Sequence, residues 1–368
     1  KIFFLFFLYF ISQVPGLIYT DNSFNNISLI ISSINITLTC ILISKFFSEK
    51  EKILFLLISF LILITVFFVA FGPQLKQFLE GIRNLYGSSF ANSEFFLNKN
   101  SPRSSGLART CLILVLMLHA LNFNYLKDKS FMMQTFKIIF LTIILLYQSR
   151  LVITLAILSY FLIFVFENNY KLKNIAKFIS LNFLLPVSIT ILLFTFFSNQ
   201  NYKYKLSQFE KTQNPEYFKE VTKKSSDIYG EVPLRKLTKS FSSGRFQDWE
   251  KILLKISNEK ILFGYGSQGD RFLINQTASN GFIYAYASSG IVGLFFYILI
   301  ITIVSFHSFK IILNYKSVNK TNLYLSLIIC VLLLRSFVES SFAVFGIDLL
   351  IILTSWIIIN NNKIKINQ

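Results

Sequence analysis

Arginine and lysine occupy different parts of this 368-residue chain. Five arginines lie near the ends of strongly apolar segments, on one membrane face according to the topology predicted from the loop charges: Arg103, Arg109, Arg150, Arg245 and Arg335. The opposite face carries lysine almost alone. A guanidinium binds two phosphate oxygens at once through its planar fork, whereas an ammonium is a point charge. The arginine set therefore predicts binding of a diphosphate; the alternative is that each arginine only extends its charge to the membrane surface.

Two carboxylates are predicted at the depth of these arginines. Glu339 follows Arg335 by four residues, which places both side chains on one helix face. A carboxylate beside a bound phosphate can accept the proton of an attacking hydroxyl group. An intrahelical ion pair is the alternative. Asp348 is the second deep carboxylate, at the start of the last apolar segment, whereas Asp248 and Asp270 are expected to be solvated in a loop.

The other side chains that often carry chemistry favour neither a metal nor a nucleotide. His119 and His307 lie on different predicted helices at different depths, so a metal site is not expected. The cysteines lie within apolar runs and are expected to be small core residues (Cys40, Cys111 and Cys330). The sequence contains neither a Walker-type glycine loop nor an Asp-x-Asp motif. We therefore expect no cofactor, no metal and no soluble nucleotide substrate.

Composition identifies the elements that would position these side chains. Hydrophobic residues make up 54% of the chain, 43 residues are phenylalanine, and the mean hydropathy is +0.57. A soluble domain is about 45–50% apolar, and a membrane span needs about 20 mostly apolar residues. We therefore predict an all-α membrane bundle of about ten transmembrane helices: 2–19, 27–47, 53–71, 106–126, 131–148, 151–166, 175–198, 282–305, 322–340 and 344–360.

Loop charges predict the orientation of these spans. Lysines recur in every second connection and in the C-terminal tail: Lys45, Lys50, Lys52, Lys127, Lys129, Lys171, Lys173, Lys177, Lys310, Lys316, Lys320, Lys363 and Lys365. Cytoplasmic loops carry such an excess. Both termini are therefore predicted to be cytoplasmic, with loops 72–105 and 199–281 outside. The chain divides into seven spans in 1–198, the loop 199–281, and three spans with a tail in 282–368.

The loop 199–281 is too long for a plain connection and is predicted to contain helix. After Ser243-Gly244, four apolar residues fall on one helical face: Phe246, Trp249, Leu253 and Ile256. This amphipathic helix is expected to pack on the bundle or to lie at the membrane interface. Three glycines then interrupt the chain before the next span (Gly264, Gly266 and Gly269).

Several short motifs follow one another between about residues 100 and 345. They are Pro102-Arg103-Ser104-Ser105-Gly106-Leu107, Gln148-Ser149-Arg150, Ser243-Gly244-Arg245 with Trp249, Leu262-Phe263-Gly264-Tyr265-Gly266, Ser279-Asn280-Gly281-Phe282-Ile283 and Ser289-Gly290-Ile291-Val292-Gly293. In this order, and on this predicted membrane side, they resemble the O-antigen polymerase and ligase family. Members of that family act on polyprenyl-diphosphate-linked saccharides at the outer face of the bacterial inner membrane.

The resemblance implies a GT-C-like glycosyltransferase of the inner membrane, with the loop 199–281 in the periplasm. It implies that Arg245, with Arg103 or Arg150, holds the diphosphate leaving group, and Arg335 completes this predicted set. Arg245 and Glu339 are the predicted catalytic residues, and no metal is required. The motif residues Trp249, Tyr265, Ser279 and Asn280 are expected to line a groove for the acceptor glycan.

The predicted reaction joins undecaprenyl-diphosphate-linked oligosaccharide repeat units into a polysaccharide. Ligases of the family typically carry a histidine where this chain has Ser279, and this departure favours a polymerase. The expected partners are the lipid-linked oligosaccharide, membrane lipids and a chain-length regulator. No nucleic acid is expected, because much of the net charge of +18 lies in the short loops that set topology.

Three other functions share part of this chemistry. A ligase differs in its acceptor, which is lipid A–core instead of another repeat unit. Another glycosyltransferase of the cell envelope, such as one that builds peptidoglycan, would also use a polyprenyl diphosphate. A flippase for lipid-linked oligosaccharides needs cations at several depths of a central cavity, and the sequence contains no internal repeat typical of an inverted-repeat transporter.

Overall fold

Helices form almost all of the chain that the computed structural model describes, and that part contains no strand. The described residues are 1–19, 23–84, 104–122, 130–146, 149–167, 172–193, 245–257 and 260–361. The predicted all-α class is confirmed for them. Most of the predicted loop 199–281, up to residue 244, lies outside the described residues.

Each predicted apolar span coincides with helical structure. The α-helices of the described residues are α1 (Ile2–Ile11), α2 (Ser23–Phe46), α3 (Glu49–Asn84), α4 (Ser104–Asn122), α5 (Ser130–Leu146), α6 (Arg150–Phe166), α7 (Leu172–Ile179), α8 (Arg245–Lys255), α9 (Gly269–Ile274), α10 (Gly281–Leu313), α11 (Lys320–Ser336) and α12 (Ile347–Asn361). Short 3₁₀-helices occur at Pro15–Tyr19 and Ser341–Ala343, and α7 continues through a π-helical turn at Ser180–Leu184 into helix over 185–193.

The helix α3 is longer than predicted, because it runs to Asn84 and enters the predicted loop 72–105. The sequence there still places apolar residues at helical spacing (Leu75, Phe78, Leu79 and Ile82). An amphipathic extension of this kind carries too many polar residues to be recognised from hydropathy alone.

In the part of the chain that the structure describes, two helices are long and apolar enough to cross a membrane, namely Phe24–Phe46 and Gly281–Leu313. The other apolar helical stretches within the described residues have 10–17 residues: Ile2–Ile18, Gly106–Leu121, Phe131–Leu146, Arg150–Phe166, Ser180–Leu193 and Ile347–Asn360. The helical nature of the predicted spans is therefore confirmed, whereas their number across a membrane stays a prediction.

The centre of the bundle is the pair α4 and α11, which pack against each other and are buried around most of their circumference. The helices α5 and α6 lie against α4, and α10 and α12 lie against α11. Outer helices also expose large apolar side chains, among them Phe4, Leu42, Leu61, Phe161 and Phe295. A helix that is apolar on its outer face as well as its inner face is typical of a lipid environment.

Helices that follow closely in the chain run in opposite directions, so the end of one helix lies beside the start of the next. The side chains gathered in this way make the two ends of the bundle chemically different. At one end, Arg109 of α4 and Arg335 of α11 meet Asp348 of α12; we call this the arginine end. At the other, the start of α1 and the ends of α2, α10 and α12 surround a cavity lined in part by Lys1 and Lys45; we call this the lysine end.

The long helix α10 is interrupted at Gly290, whose φ of 62° and ψ of −159° are not helical. In an unbroken helix, the N–H groups of Ile291 and Val292 would donate to the carbonyls of Ala287 and Ser288. The break separates these partners, and all four backbone groups then require other hydrogen-bond partners.

A turn that precedes α10, residues 261–266, fills this break, and we call it the plug segment. Four backbone hydrogen bonds join it to α10: Tyr265 N–H to Ala287 O (2.9 Å), Gly266 N–H to Ser288 O (2.9 Å), Ile291 N–H to Ile261 O (2.8 Å) and Val292 N–H to Leu262 O (3.3 Å). Gly264 and Gly266 adopt φ of +65° and +78°, which glycine allows without steric cost. The plug segment thus provides hydrogen-bond partners for all four of these backbone groups.

Candidate active site at the arginine end

Four charged side chains form a connected group, which we call the ion cluster. Arg335 bonds both Asp348 and Glu339, and Arg109 Nε lies 3.5 Å from Asp348 Oδ1. The Ser341 hydroxyl lies 3.1 Å from Asp348 Oδ2. Arg335 and Asp348 are each 2% exposed, whereas the side chains of Arg109 and Glu339 are 25% and 23% exposed. The inner pair is therefore closed to solvent, and the outer two side chains form an accessible rim.

The charges of the ion cluster balance, since it holds two guanidinium and two carboxylate groups. This balance allows burial, because an unpaired charge inside a protein is strongly destabilising. Arg335, predicted to bind phosphate, is already bonded to two carboxylates. Glu339 forms the predicted ion pair with Arg335 four residues earlier, but from the turn that follows the end of α11 at Ser336. Sequence reasoning missed the pairing of Arg109 with Asp348; the shared depth of these two opposite charges was the available signal.

Two hydrogen bonds hold α8 and the start of α10 at this end. Trp249 of α8 donates from Nε1 to the Ala278 carbonyl at 2.6 Å. Asn280 caps the first turn of α10 through its Oδ1, and its Nδ2 donates to the Phe337 carbonyl at 2.9 Å. Since Phe337 follows Arg335 by two residues, α8, the start of α10 and the ion cluster lie at the same end.

Arg245 is the first residue of α8, one helical turn before Trp249. Its side chain is half-buried, and Nε is enclosed without a hydrogen-bond partner among the described residues. The predicted amphipathic helix is present, but part of its apolar face points away from the bundle, because Phe246 and Leu253 are 65% and 49% exposed. Of the two expectations for this helix, that outer face fits an interfacial location.

The prediction that two loop aspartates are solvated is wrong. Asp248 and Asp270 are 7% and 1% exposed. Asp270 accepts hydrogen bonds from the N–H groups of Ala278 at 2.7 Å and Arg271 at 2.9 Å. Burial raises the pKa of Asp270 above its ordinary value, although these N–H donors oppose the shift. Asp270 therefore holds the turn that leads into α10.

Two further predicted groove residues are buried in structural contacts. The Tyr265 ring stacks on Phe272 with centroids 5.5 Å apart, and its Oη lies 3.4 Å from the Ser257 backbone nitrogen. Ser279 has a φ of +50°, and its Oγ lies 3.5 Å from Thr277 Oγ. Both residues shape the backbone before α10.

Arg150 begins α6 and is exposed. The other end of α6 lies at the lysine end, where Tyr324 near the start of α11 donates to Glu167 at 3.3 Å. Arg150 therefore lies at the arginine end. Arg103 is outside the described residues. The structure thus brings the described members of the predicted arginine set to one end, where Arg109 and Arg335 share Asp348 as a partner.

No protein-family model, curated protein or solved structure matches this chain. Within the described part of the chain, no three His, Cys, Asp or Glu side chains are grouped so that they could hold a metal ion. The assignment of a candidate site therefore depends on the geometry of the arginine end and on the sequence motifs.

Proposed function

We propose that this chain is a bacterial inner-membrane glycosyltransferase that uses a polyprenyl-diphosphate-linked saccharide at its arginine end. The observation that carries the proposal is the gathering of arginines from α4, α6, α8 and α11 at one end of a helix bundle with apolar outer faces. A lipid diphosphate combines an apolar chain with an anionic group at the membrane surface. The bundle offers a matching environment for both parts.

Departure of the diphosphate requires stabilisation of the negative charge that develops on its leaving oxygen. Arg245 is the first candidate for this task, because it begins a helix and its Nε has no hydrogen-bond partner among the described residues. Arg109 is partly accessible and Arg150 is exposed, and both supply further positive charge. Arg335 acts as a positioning residue that holds both carboxylates of the ion cluster.

In the proposed reaction, a hydroxyl oxygen of the acceptor saccharide attacks the anomeric carbon of the donor. The new carbon–oxygen bond forms while the bond to the diphosphate oxygen breaks, and its electron pair leaves with the lipid diphosphate. Glu339 accepts the hydroxyl proton, since it is the more accessible carboxylate of the ion cluster. The bond from Arg335 fixes the orientation of Glu339.

Polymerisation of repeat units is the favoured form of this reaction. Serine at position 279 departs from the histidine typical of ligases in the family that the motifs resemble. The acceptor is then a second lipid-linked repeat unit, and both chain termini face the cytoplasm while the arginine end faces the periplasm.

The test is incubation of the purified, reconstituted chain with lipid-linked repeat units, followed by separation of the products on a gel. A ladder of products is the expected result. Transfer of a single glycan to added lipid A–core without a ladder would identify a ligase instead. Absence of either product, with the protein folded, would contradict a glycosyltransferase.

Export of a lipid-linked saccharide is a second candidate, because a buried cation also lies toward the other end of the bundle. Lys137 Nζ lies 3.4 Å from His119 Nδ1, and both side chains are buried. Charges inside a membrane bundle commonly mark a transport path. Movement of labelled lipid-linked saccharide across a vesicle bilayer, without new glycosidic products and lost in Lys137→Gln, would favour export.

A further inference from the structure

A cavity of about 670 Å³ lies at the lysine end, between the start of α1 and the ends of α2, α10 and α12. This volume falls within the roughly 300–1,000 Å³ that is usual for small-molecule sites. It lies at the opposite end from the ion cluster, so the proposed transfer reaction leaves it without a role.

Polar and apolar side chains both line the cavity, and we call these two sets of residues its polar wall and its apolar wall. The polar wall includes Lys1, Ser44, Lys45, His307 and Asn360, and no acidic side chain is among the described residues that line the cavity. Such a wall favours an anion that can accept several hydrogen bonds.

Part of the apolar wall is accessible. Phe4 and Ile303 line the cavity and are also well exposed. His307 packs against Trp356 with ring centroids 5.1 Å apart, and its Nε2 is enclosed without a hydrogen-bond partner in the described part of the chain. The cavity therefore combines basic and hydrogen-bonding side chains with exposed apolar side chains on which acyl chains would lie.

We propose that this cavity binds the phosphate headgroup of an anionic glycerophospholipid, with the upper part of its acyl chains on the apolar wall. Lys45 provides charge, and Ser44 and His307 provide hydrogen-bond donors. Basic pockets between helices at the cytoplasmic face are suited to anionic headgroups. The inference depends on the membrane location in the proposed function but is independent of the transfer reaction.

Trp356 supplies a local readout, because the chain contains only two tryptophans. Trp249→Phe protein is placed in phosphatidylcholine vesicles, and brominated phosphatidylglycerol or brominated phosphatidylcholine is added while Trp356 emission is measured. We expect half-maximal quenching at a several-fold lower fraction of brominated phosphatidylglycerol. Lys45→Gln should reduce this preference about fivefold, which corresponds to about 1 kcal/mol for one lysine near an anionic surface.

Lys316→Gln is the matched control, since Lys316 is an exposed lysine near the same end that lies over the Tyr315 ring at 5.9 Å and does not line the cavity. It should leave the lipid preference unchanged. Equal losses in the two lysine variants, or equal quenching by the two lipids, would overturn the proposal. Native mass spectrometry of the wild-type protein, counting retained phosphatidylglycerol, makes the lipid comparison without the Trp249 change.

Two further outcomes separate the possible sources of failure. Millimolar inorganic phosphate should not displace the lipid, because it cannot use the apolar wall; displacement would indicate a site for free phosphate and overturn the lipid assignment. Absence of quenching by either brominated lipid would contradict the membrane location itself, and with it the proposed function.

Discussion

Replacing Gly290 with alanine should expel the plug segment from α10. An alanine Cβ at this position would lie 2.3 Å from the backbone carbon and oxygen of Leu262, which cannot rotate away as a side chain could. The φ of 62° also disfavours alanine. An unbroken helix accepts alanine well and would restore the hydrogen bonds of Ile291 and Val292 within α10.

The size of this effect follows from the hydrogen bonds of the break. The clash with Leu262 displaces the two carbonyls that accept from Ile291 and Val292, and each such bond contributes about 1 kcal/mol. The left-handed φ costs alanine about 1 kcal/mol more. Gly290→Ala therefore shifts the balance by about 3 kcal/mol toward release of the plug segment, which is roughly a hundredfold change in population.

A cysteine at Ser267 reports this release, because Ser267 directly follows the plug segment and is 2% exposed. The native cysteines are buried and should stay silent (Cys40, Cys111 and Cys330). Thiol labelling of Ser267→Cys should become about a hundredfold faster when Gly290→Ala is added. Gly106→Ala, whose Cβ would meet nothing within 4 Å, is the control and should change nothing. Full protection of the thiol in the Gly290→Ala protein would refute the reasoning.

Two other predictions concern the ion cluster and the orientation of the chain. Asp348→Ala should lower the free energy of unfolding in detergent by about 3–5 kcal/mol, because it removes the buried partner of Arg335. Glu339→Gln, at the accessible rim, should cost about 1 kcal/mol or less; equal losses would contradict the difference in burial. A cysteine at Ser225 should react with an impermeant thiol reagent from outside, and one at Asn319 only after the membrane is opened. The reverse labelling pattern would overturn the predicted orientation.

The helices could be predicted from the sequence because apolar runs of this length have few other ways to bury their backbone groups. The break in α10 could not be predicted from the sequence. The motif around Gly290 is apolar and rich in small residues, as in an unbroken packed helix. The acceptors that stabilise the break come from Ile261 and Leu262, about thirty residues earlier, and only the folded chain brings them together.

The contacts of the candidate site are also of two kinds: some follow from the local sequence, and others depend on the folded chain. The pair of Arg335 and Glu339 could be predicted because one helical turn fixes its geometry. The pairing of Arg109 with Asp348 depends on how α4 and α12 both pack against α11, which no local pattern specifies. Burial of Asp270 likewise depends on the backbone of a turn. Its carboxylate accepts hydrogen bonds from two backbone N–H groups, which would bond to water in a solvated loop.

Arg245 holds the diphosphate leaving group in the proposed mechanism, and turnover of lipid-linked repeat units by Arg245→Lys protein tests this role most directly. Lysine keeps the charge but loses the fork, so we expect a roughly 100- to 1,000-fold fall in rate with membrane insertion unchanged. Arg271→Lys is the control, since Arg271 is exposed and donates to Gln268 Oε1 at 3.0 Å, and it should keep most of the rate. Full-length polymer made by Arg245→Lys protein at the wild-type rate would contradict the role of Arg245 and assign it to structure alone.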